Sequence, residues 1–158
     1  MFSLREIFEL GEQLERNGGR FYTDALARFQ DPALASLLRW LAEEEVRHEE
    51  WFSRRKQTLG PEAVDPMTRD MGNAILREVL GDQTFSLKEA DLTNIGRVQD
   101  LIALALEFEK DTILFFEMVQ AFLEDPETLE GLKTIIEEER RHIRSIEEYG
   151  GKGIPIVR

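Results

Sequence analysis

The chain contains no cysteine. That absence excludes disulfides, thiolate zinc sites, iron–sulfur clusters and any other cysteine-held iron. Histidine is also scarce, with two copies, so the strong metal ligands left are carboxylates and two imidazoles. Positive charge is short: 20 Lys and Arg stand against 32 Asp and Glu, the formal charge is −12, and the longest basic run is Arg54-Arg55-Lys56. No nucleic-acid partner is expected from that balance. Long apolar runs are missing too. The longest, Leu101 to Leu106, is far short of a membrane span, so no membrane partner is expected. The start, "MFSLREIF", has no basic stretch followed by an apolar one, so no signal peptide is read and the expected location is cytoplasmic. What remains is 158 residues, 42% hydrophobic and 33% charged, enough for a single domain over residues 1–158 with a sizeable core.

Four long helical patterns are present, each with apolar residues at steps of three and four. The first opens on the capping box Ser3-x-x-Glu6 and runs to about Gln30, with the inner stripe Leu4, Phe8, Gly11, Glu15, Gly18, Tyr22, Ala25, Phe29. The second opens on Asp31-Pro32, an N-cap followed by proline, and carries Leu34, Leu38, Leu41, Glu45, His48 and Phe52. The third runs from about Thr93 to Leu123 on Ile95, Val98, Ile102, Ala105, Glu109, Thr112, Phe116, Val119 and Leu123. The fourth opens on Asp125-Pro126 and carries Leu129, Leu132, Ile136, Glu139, His142, Ile146 and Tyr149. Residues 59–92 contain Gly60-Pro61, Asp65-Pro66 and Gly81, with one short helical piece around Ala74–Leu80. The stretch is too long for a tight turn and reads as a crossover along the length of a bundle, which makes helices two and three parallel. The tail, 150–158, "GGKGIPIVR", reads as extended or loose, with no fifth helix after it. The expected fold is all-α: a four-helix bundle of two helical hairpins joined by a long crossover.

The hairpins repeat each other. "FQDPALASLL" at 29–38 and "LEDPETLEGL" at 123–132 share Asp-Pro at an offset of 94. The same offset takes Glu15 to Glu109, Tyr22 to Phe116, Glu45 to Glu139 and His48 to His142. Asn17-Gly18-Gly19, in "LERNGGRFY" (14–22), is turn chemistry, and each glycine costs about 1 kcal/mol inside a helix. Its counterpart "FEKDTILFF" (108–116) has no turn signal, and the stripe keeps its register from Gly18 to Tyr22, so the first helix is expected to run through. Gly18, one turn after Glu15, either leaves room for a small oxidant, a water or a moving carboxylate, or admits a closely packed neighbour.

Each apolar stripe is interrupted at one level, always by a metal-ligand type. Helices one and three carry a single Glu there; helices two and four carry Glu-x-x-His, which puts both side chains on one face. Depth agrees: Glu15 lies 16 residues before Asp31, with Glu45 and His48 at 14 and 17 after it, and the same spacings hold around Asp125. At equal rise per residue, Glu15, Glu45, His48, Glu109, Glu139 and His142 meet at one level of the bundle. Four buried carboxylates without counter-charge are very costly. Two divalent cations balance them with the histidines neutral, and the donor set suits iron(II) or manganese(II) better than a thiophilic ion; two iron ions are expected, with manganese or zinc as the alternatives.

At these residues the chain resembles the ferritin-like di-iron carboxylate proteins, and most closely the rubrerythrin domain. The resemblance rests on "LERNGGRFY" with "EEEVRHEE" (43–50) and "FEKDTILFF" with "EEERRH" (137–142), and it covers both hairpins. One Glu from each of two helices plus Glu-x-x-His from the other two is the ligand set of ferritin-like dimetal bundles. Glu-Glu-x-Arg-His, at Glu44–His48 and Glu138–His142, is similar to the signature of oxygen-activating di-iron proteins. The resemblance implies that Glu44, Glu138, Arg47 and Arg141 support the ligands from behind. Two departures stand out. Full-length rubrerythrins add a cysteine-rich rubredoxin domain, for which this chain has no cysteines. They also carry a further carboxylate one turn after the third-helix Glu, where this chain has Thr112. Glu12, one turn before Glu15, is a candidate seventh ligand without a repeat partner, since position 106 is Leu.

The resemblance implies a di-iron oxidoreductase reacting with hydrogen peroxide or dioxygen, with electrons from a separate donor protein. The competing reading is a ferroxidase that binds iron for storage or transfer, because bacterioferritin has a similar six-ligand set. Against a bacterioferritin-type cage stand the lack of a fifth helix and the placement of Met1, Met67, Met71 and Met118, none of them on the second helix as a haem ligand. A bundle with purely structural metals is the third reading. A homodimer is expected, with Trp51, Phe2 and the tail from Ile154 to Val157 off the inner stripes and available for contacts.

Overall fold

The computed structural model describes residues 4–59 and 96–152, and four helices lie among them. They are α1 (Leu4–Arg28), α2 (Pro32–Thr58), α3 (Val98–Gln120) and α4 (Pro126–Lys152). The expected crossover helix around Ala74–Leu80, Phe2 and the end of the tail fall outside the described residues. The Asp-Pro pairs start α2 and α4 as the sequence indicates. Asp31 Oδ2 accepts the Leu34 amide at 2.9 Å, and Asp125 Oδ2 accepts the Thr128 amide at 2.9 Å and its hydroxyl at 2.6 Å. These bonds satisfy amides that have no partner inside the helix.

Each hairpin packs chiefly within itself, α1 on α2 and α3 on α4, and the hairpins meet through α2 with α4 and α1 with α3. Two contacts fix directions. Tyr149 donates to Asp31 Oδ2 at 3.0 Å, so the end of α4 lies beside the α1–α2 turn. Arg55 reaches Glu127 at 3.3 Å, so the end of α2 lies beside the start of α4. α4 is therefore antiparallel to α2, and α2 and α3 run parallel, as a crossover requires. No helix among the described residues is long and apolar enough to cross a membrane.

Three boundaries differ from expectation, one of them the end of α3, which stops at Gln120 and not at Leu123. α3 begins at Val98, because Gly96 and Arg97 are not helical and Arg97 offers no side-chain cap. α4 continues through Gly150 and Gly151 to Lys152 instead of loosening at 150. Buried Ile146 and the Tyr149–Asp31 bond anchor that last turn, and this tertiary hold outweighs the weak helix propensity of two glycines. α1, by contrast, runs unbroken through Asn17-Gly18-Gly19 as expected. Trp51 is not a free surface residue: its ring packs edge-on to Phe8 and Phe52 and covers Gly131 of α4.

The core falls into two apolar clusters at opposite ends of the bundle. One gathers Phe8, Leu14, Phe52, Phe116 and Leu132; the other gathers Phe21, Tyr22, Leu38, Leu101, Phe108 and Ile146. Between them lies a layer of buried charged side chains.

Candidate metal centre

That layer consists of the six residues on the interrupted stripes. Glu15 comes from α1, Glu45 and His48 from α2, Glu109 from α3, and Glu139 and His142 from α4. All are sealed from solvent: Glu15 is 1% exposed and the other five 0%. They form two groups. Glu15, Glu45, His48 and Glu139 each bring one ligand atom, all within 4.8 Å of one another, and Glu45, Glu109, Glu139 and His142 do the same. Glu45 and Glu139 belong to both. Donors on opposite sides of an ion bonded at about 2.1 Å lie about 4.2 Å apart, so this spacing is close to what a cation draws in.

The Nδ1 edges of both imidazoles face the carboxylates. His48 Nδ1 lies 2.8 Å from Glu139 Oε1 and 3.5 Å from Glu15 Oε2; His142 Nδ1 lies 3.1 Å from Glu139 Oε2 and 3.5 Å from Glu109 Oε1. Taken as protein groups alone, the carboxylates cannot all ionise. Burial, reinforced by the charge of Glu139, pushes Glu15 and Glu45 well above the usual carboxyl range and Glu109 up to about 8. Burial would raise Glu139 as well, but hydrogen bonds with Glu109, His142 and His48 hold it well below that range. Burial alone would lower the two histidines. The surrounding carboxylates prevail and raise His48 to about 10 and His142 to about 11.

The donor set fits a pair of divalent cations. Both oxygens of Glu15, both of Glu45 and Glu109 Oε2 are buried without a hydrogen-bond partner, whereas buried polar atoms nearly always find one. Glu15 and Glu45 face other carboxyls as well as the more distant imidazole Nδ1 atoms, and carboxyl against carboxyl needs a shared proton or a cation between.

Behind the ligands, each imidazole turns its Nε2 edge to a carboxylate of the opposite helix. His48 Nε2 is 3.6 Å from Glu138 Oε1, and His142 Nε2 is 3.6 Å from Glu44 Oε1. Arg47 holds both carboxylates: its Nη2 and Nε donate to Glu44 Oε2 at 2.9 and 3.1 Å, and Nη2 also donates to Glu138 Oε2. The His48 imidazole and then Arg47 hold Glu138 at about 2. Arg141 does not share this role. It is exposed and has no ion-pair partner among the described residues. Glu44, His48 and Glu138 form a third, half-buried group of ligand types, but the Arg47 guanidinium already binds its two carboxylates.

Glu12 lies outside both inner groups. Lys56 Nζ stands 2.7 Å from its Oε1, and Arg16 lies 3.7 Å from its Oε2, so this nearly buried carboxylate has its counter-charge on α2. Thr112 turns its hydroxyl to its own helix, donating to Phe108 O at 2.9 Å. At Gly18, a Cβ would come within 2.8 Å of Phe108 Cε1 and 3.1 Å of Glu45 Cδ, so the glycine admits close packing and leaves no open pocket.

Two neighbours of the cluster escaped the pattern reading. Tyr22 donates its hydroxyl to Glu109 Oε1 at 2.6 Å, and burial and that carboxylate keep the phenol well above its ordinary range. The Trp40 ring stands edge-on to His142 at 5.1 Å. A hydroxyl on the inner stripe, with phenylalanine at its repeat position, was the available signal for Tyr22. Trp40 lies off the stripe and gave none.

Comparison with known proteins agrees with this geometry. No curated protein matches the chain. A solved structure described as a ferritin-like diiron-carboxylate protein, from Thermotoga maritima, is 22% identical, covers 97% of each chain and superposes with a TM-score of 0.70. That likeness shows the fold. The sequence profile named Rubrerythrin matches residues 6–149, which takes in every residue of the buried layer. On that match the chain belongs to the rubrerythrin family.

Proposed function

We propose that the chain is a di-iron oxidoreductase that reduces hydrogen peroxide or dioxygen at the buried layer, in the cytoplasm. The observation that supports this most is one level of six ligand side chains in which five of the eight carboxylate oxygens lack a hydrogen-bond partner. In this reading Glu15 and His48 would hold one ion and Glu109 and His142 the other, with Glu45 and Glu139, which belong to both groups, available to each. An oxygen-rich set with one imidazole per ion suits iron(II), then manganese(II); zinc would fill the site without redox chemistry. When bound, the ions supply two electrons and Lewis acidity.

The chain's own residues do the rest. The apolar clusters on either side keep bulk water from the layer. Turning peroxide into two waters consumes two protons as well as two electrons. Tyr22 holds one proton at Oη, against Glu109 Oε1. Glu44 and Glu138, behind the imidazoles and bonded to exposed Arg47, give protons a route from solvent. Electrons return from a separate donor protein, since the chain has no cysteine-held carrier.

Metal analysis of the purified protein, followed by stopped-flow oxidation of the ferrous form, tests the reading. The expected result is two iron ions per chain and faster oxidation by peroxide than by dioxygen. Faster oxidation by dioxygen, with uptake of iron far beyond two ions, would instead establish a ferroxidase for storage or transfer. Unchanged metal content in a His48→Ala, His142→Ala double variant would overturn the site itself.

A further inference from the structure

The repeat places the six ligands symmetrically, but their surroundings are not symmetric. Two differences that touch the ligands fall on one half. Glu109 receives the Tyr22 hydroxyl at 2.6 Å. The residue 94 positions after Tyr22 is Phe116, fully buried against Phe52 and Phe115, with no hydroxyl to offer Glu15. Accordingly both Glu15 oxygens are buried without a partner, whereas Glu109 leaves only Oε2 unpartnered. His142 has the Trp40 ring edge-on at 5.1 Å. The residue 94 positions after Trp40 is Thr134, which is exposed and donates to Glu130 O of its own helix at 3.1 Å. Arg47 does not distinguish the halves, because it binds the carboxylates behind both histidines.

We propose that the two metal positions are unequal and load in order: the Glu109–His142 position first and tightly, the Glu15–His48 position second and exchangeably. Tyr22 and Trp40 are the positioning residues that set the order. A ligand already held by a hydrogen bond or a packed ring has less freedom to lose when it coordinates. Tyr22 holds Glu109 through Oε1, the oxygen that also lies 3.5 Å from His142 Nδ1, and so fixes the carboxylate beside that imidazole. No hydroxyl holds Glu15, and an ion must order it without that help. Outer partners of this kind change metal affinity by about 10- to 100-fold, which sets the expected separation of the two constants. The second position is then the one through which iron enters and leaves. The inference rests on the two-metal reading above.

Titration of the metal-stripped full chain with cobalt(II), followed by calorimetry and by tryptophan fluorescence, tests it. Two steps separated by about 10- to 100-fold are expected. The first equivalent should quench Trp40, a signal that Trp40→Phe removes. Tyr22→Phe should weaken the first step alone and merge the two. Glu15→Gln should abolish the second step and leave the first, with its quenching, intact. Two equal constants, a Trp40 response confined to the second equivalent, or equal weakening of both steps in Tyr22→Phe would each overturn the ordering and leave the two-metal reading standing. A chain that binds no cobalt would overturn both.

Discussion

Replacing Gly18 by alanine sets two effects of known size against each other. A methyl group at this position in α1 raises helix propensity by up to about 1 kcal/mol. It also has no room, because its carbon would sit 2.8 Å from Phe108 Cε1 and 3.1 Å from Glu45 Cδ. Phe108 is itself buried in the apolar cluster beside the layer of ligand side chains and cannot simply step back. Overpacking of this kind costs about 1–3 kcal/mol, so the variant should lose about 1 kcal/mol net. Gly19 supplies the control. A Cβ there meets only Glu45 Cβ at 3.8 Å, an ordinary contact, so Gly19→Ala should keep most of its gain of about 1 kcal/mol. Adjacent substitutions in one helix therefore differ by about 2 kcal/mol with opposite sign, or roughly 4–8 °C in melting temperature for a chain of this size. Thermal unfolding of the metal-stripped proteins measures the difference. Cobalt(II) titration then adds a second readout, because displacing the Glu45 carboxyl should weaken metal binding in Gly18→Ala only. Equal melting temperatures for the two variants would refute the packing account of Gly18.

Stability of the metal-stripped chain should fall as pH rises between about pH 5 and pH 9. Glu15, Glu45 and Glu109 hold protons in the folded chain above their ordinary 4.5, and His48 and His142 hold theirs above 6.5, so the folded state loses ground as the unfolded chain releases them. Glu138 and Glu139 act in the opposite sense, but their contribution is complete above about 4.5 and is lost only below that pH. Metal affinity should rise over the same range, since the ion displaces those protons, and a stripped protein whose melting temperature rises with pH would sink the assignment. Arg47→Gln should lower cobalt(II) affinity by about 10- to 100-fold while Arg141→Gln leaves it nearly unchanged. Equal losses in the two variants would show that the arginine contacts do not decide ligand orientation.

Most of the fold is legible because its signals are local and occur twice. Asp31-Pro32 and Asp125-Pro126 start helices by short-range hydrogen bonds, and the stripes between them set which face is buried. Tertiary packing decides where the reading falls short. Asn17 looks like a turn residue, yet it is a buried helix residue whose Oδ1 accepts from Gln13 at 2.7 Å. The glycines at 150 and 151 look like a helix stop, yet packing carries α4 past them. Glu12 looks like a ligand by its place in the helix. Its fate depends on Lys56, 44 residues away on another helix, and no periodicity encodes that pairing.

The buried layer shows the same division in sharper form. The repeat identifies six side chains at one depth, and the structure brings all six together. Repeat logic also treats Arg47 and Arg141 alike, and there it fails for a geometric reason. The two carboxylates behind the histidines, Glu44 and Glu138, sit where α2 and α4 cross, close to the axis that relates the two halves. Away from such an axis a pair of equivalent residues has two equivalent places. On it there is one place, and a single planar guanidinium can bind both carboxylates at once. Once Arg47 is there, a second cation would meet a like charge beside carboxylates already bound to the first, and Arg141 stays in solvent. An internally repeated sequence can specify a symmetric set of ligands, while the positions nearest the axis, and the unmatched pairs Tyr22 with Phe116 and Trp40 with Thr134, are where the two halves take on different work.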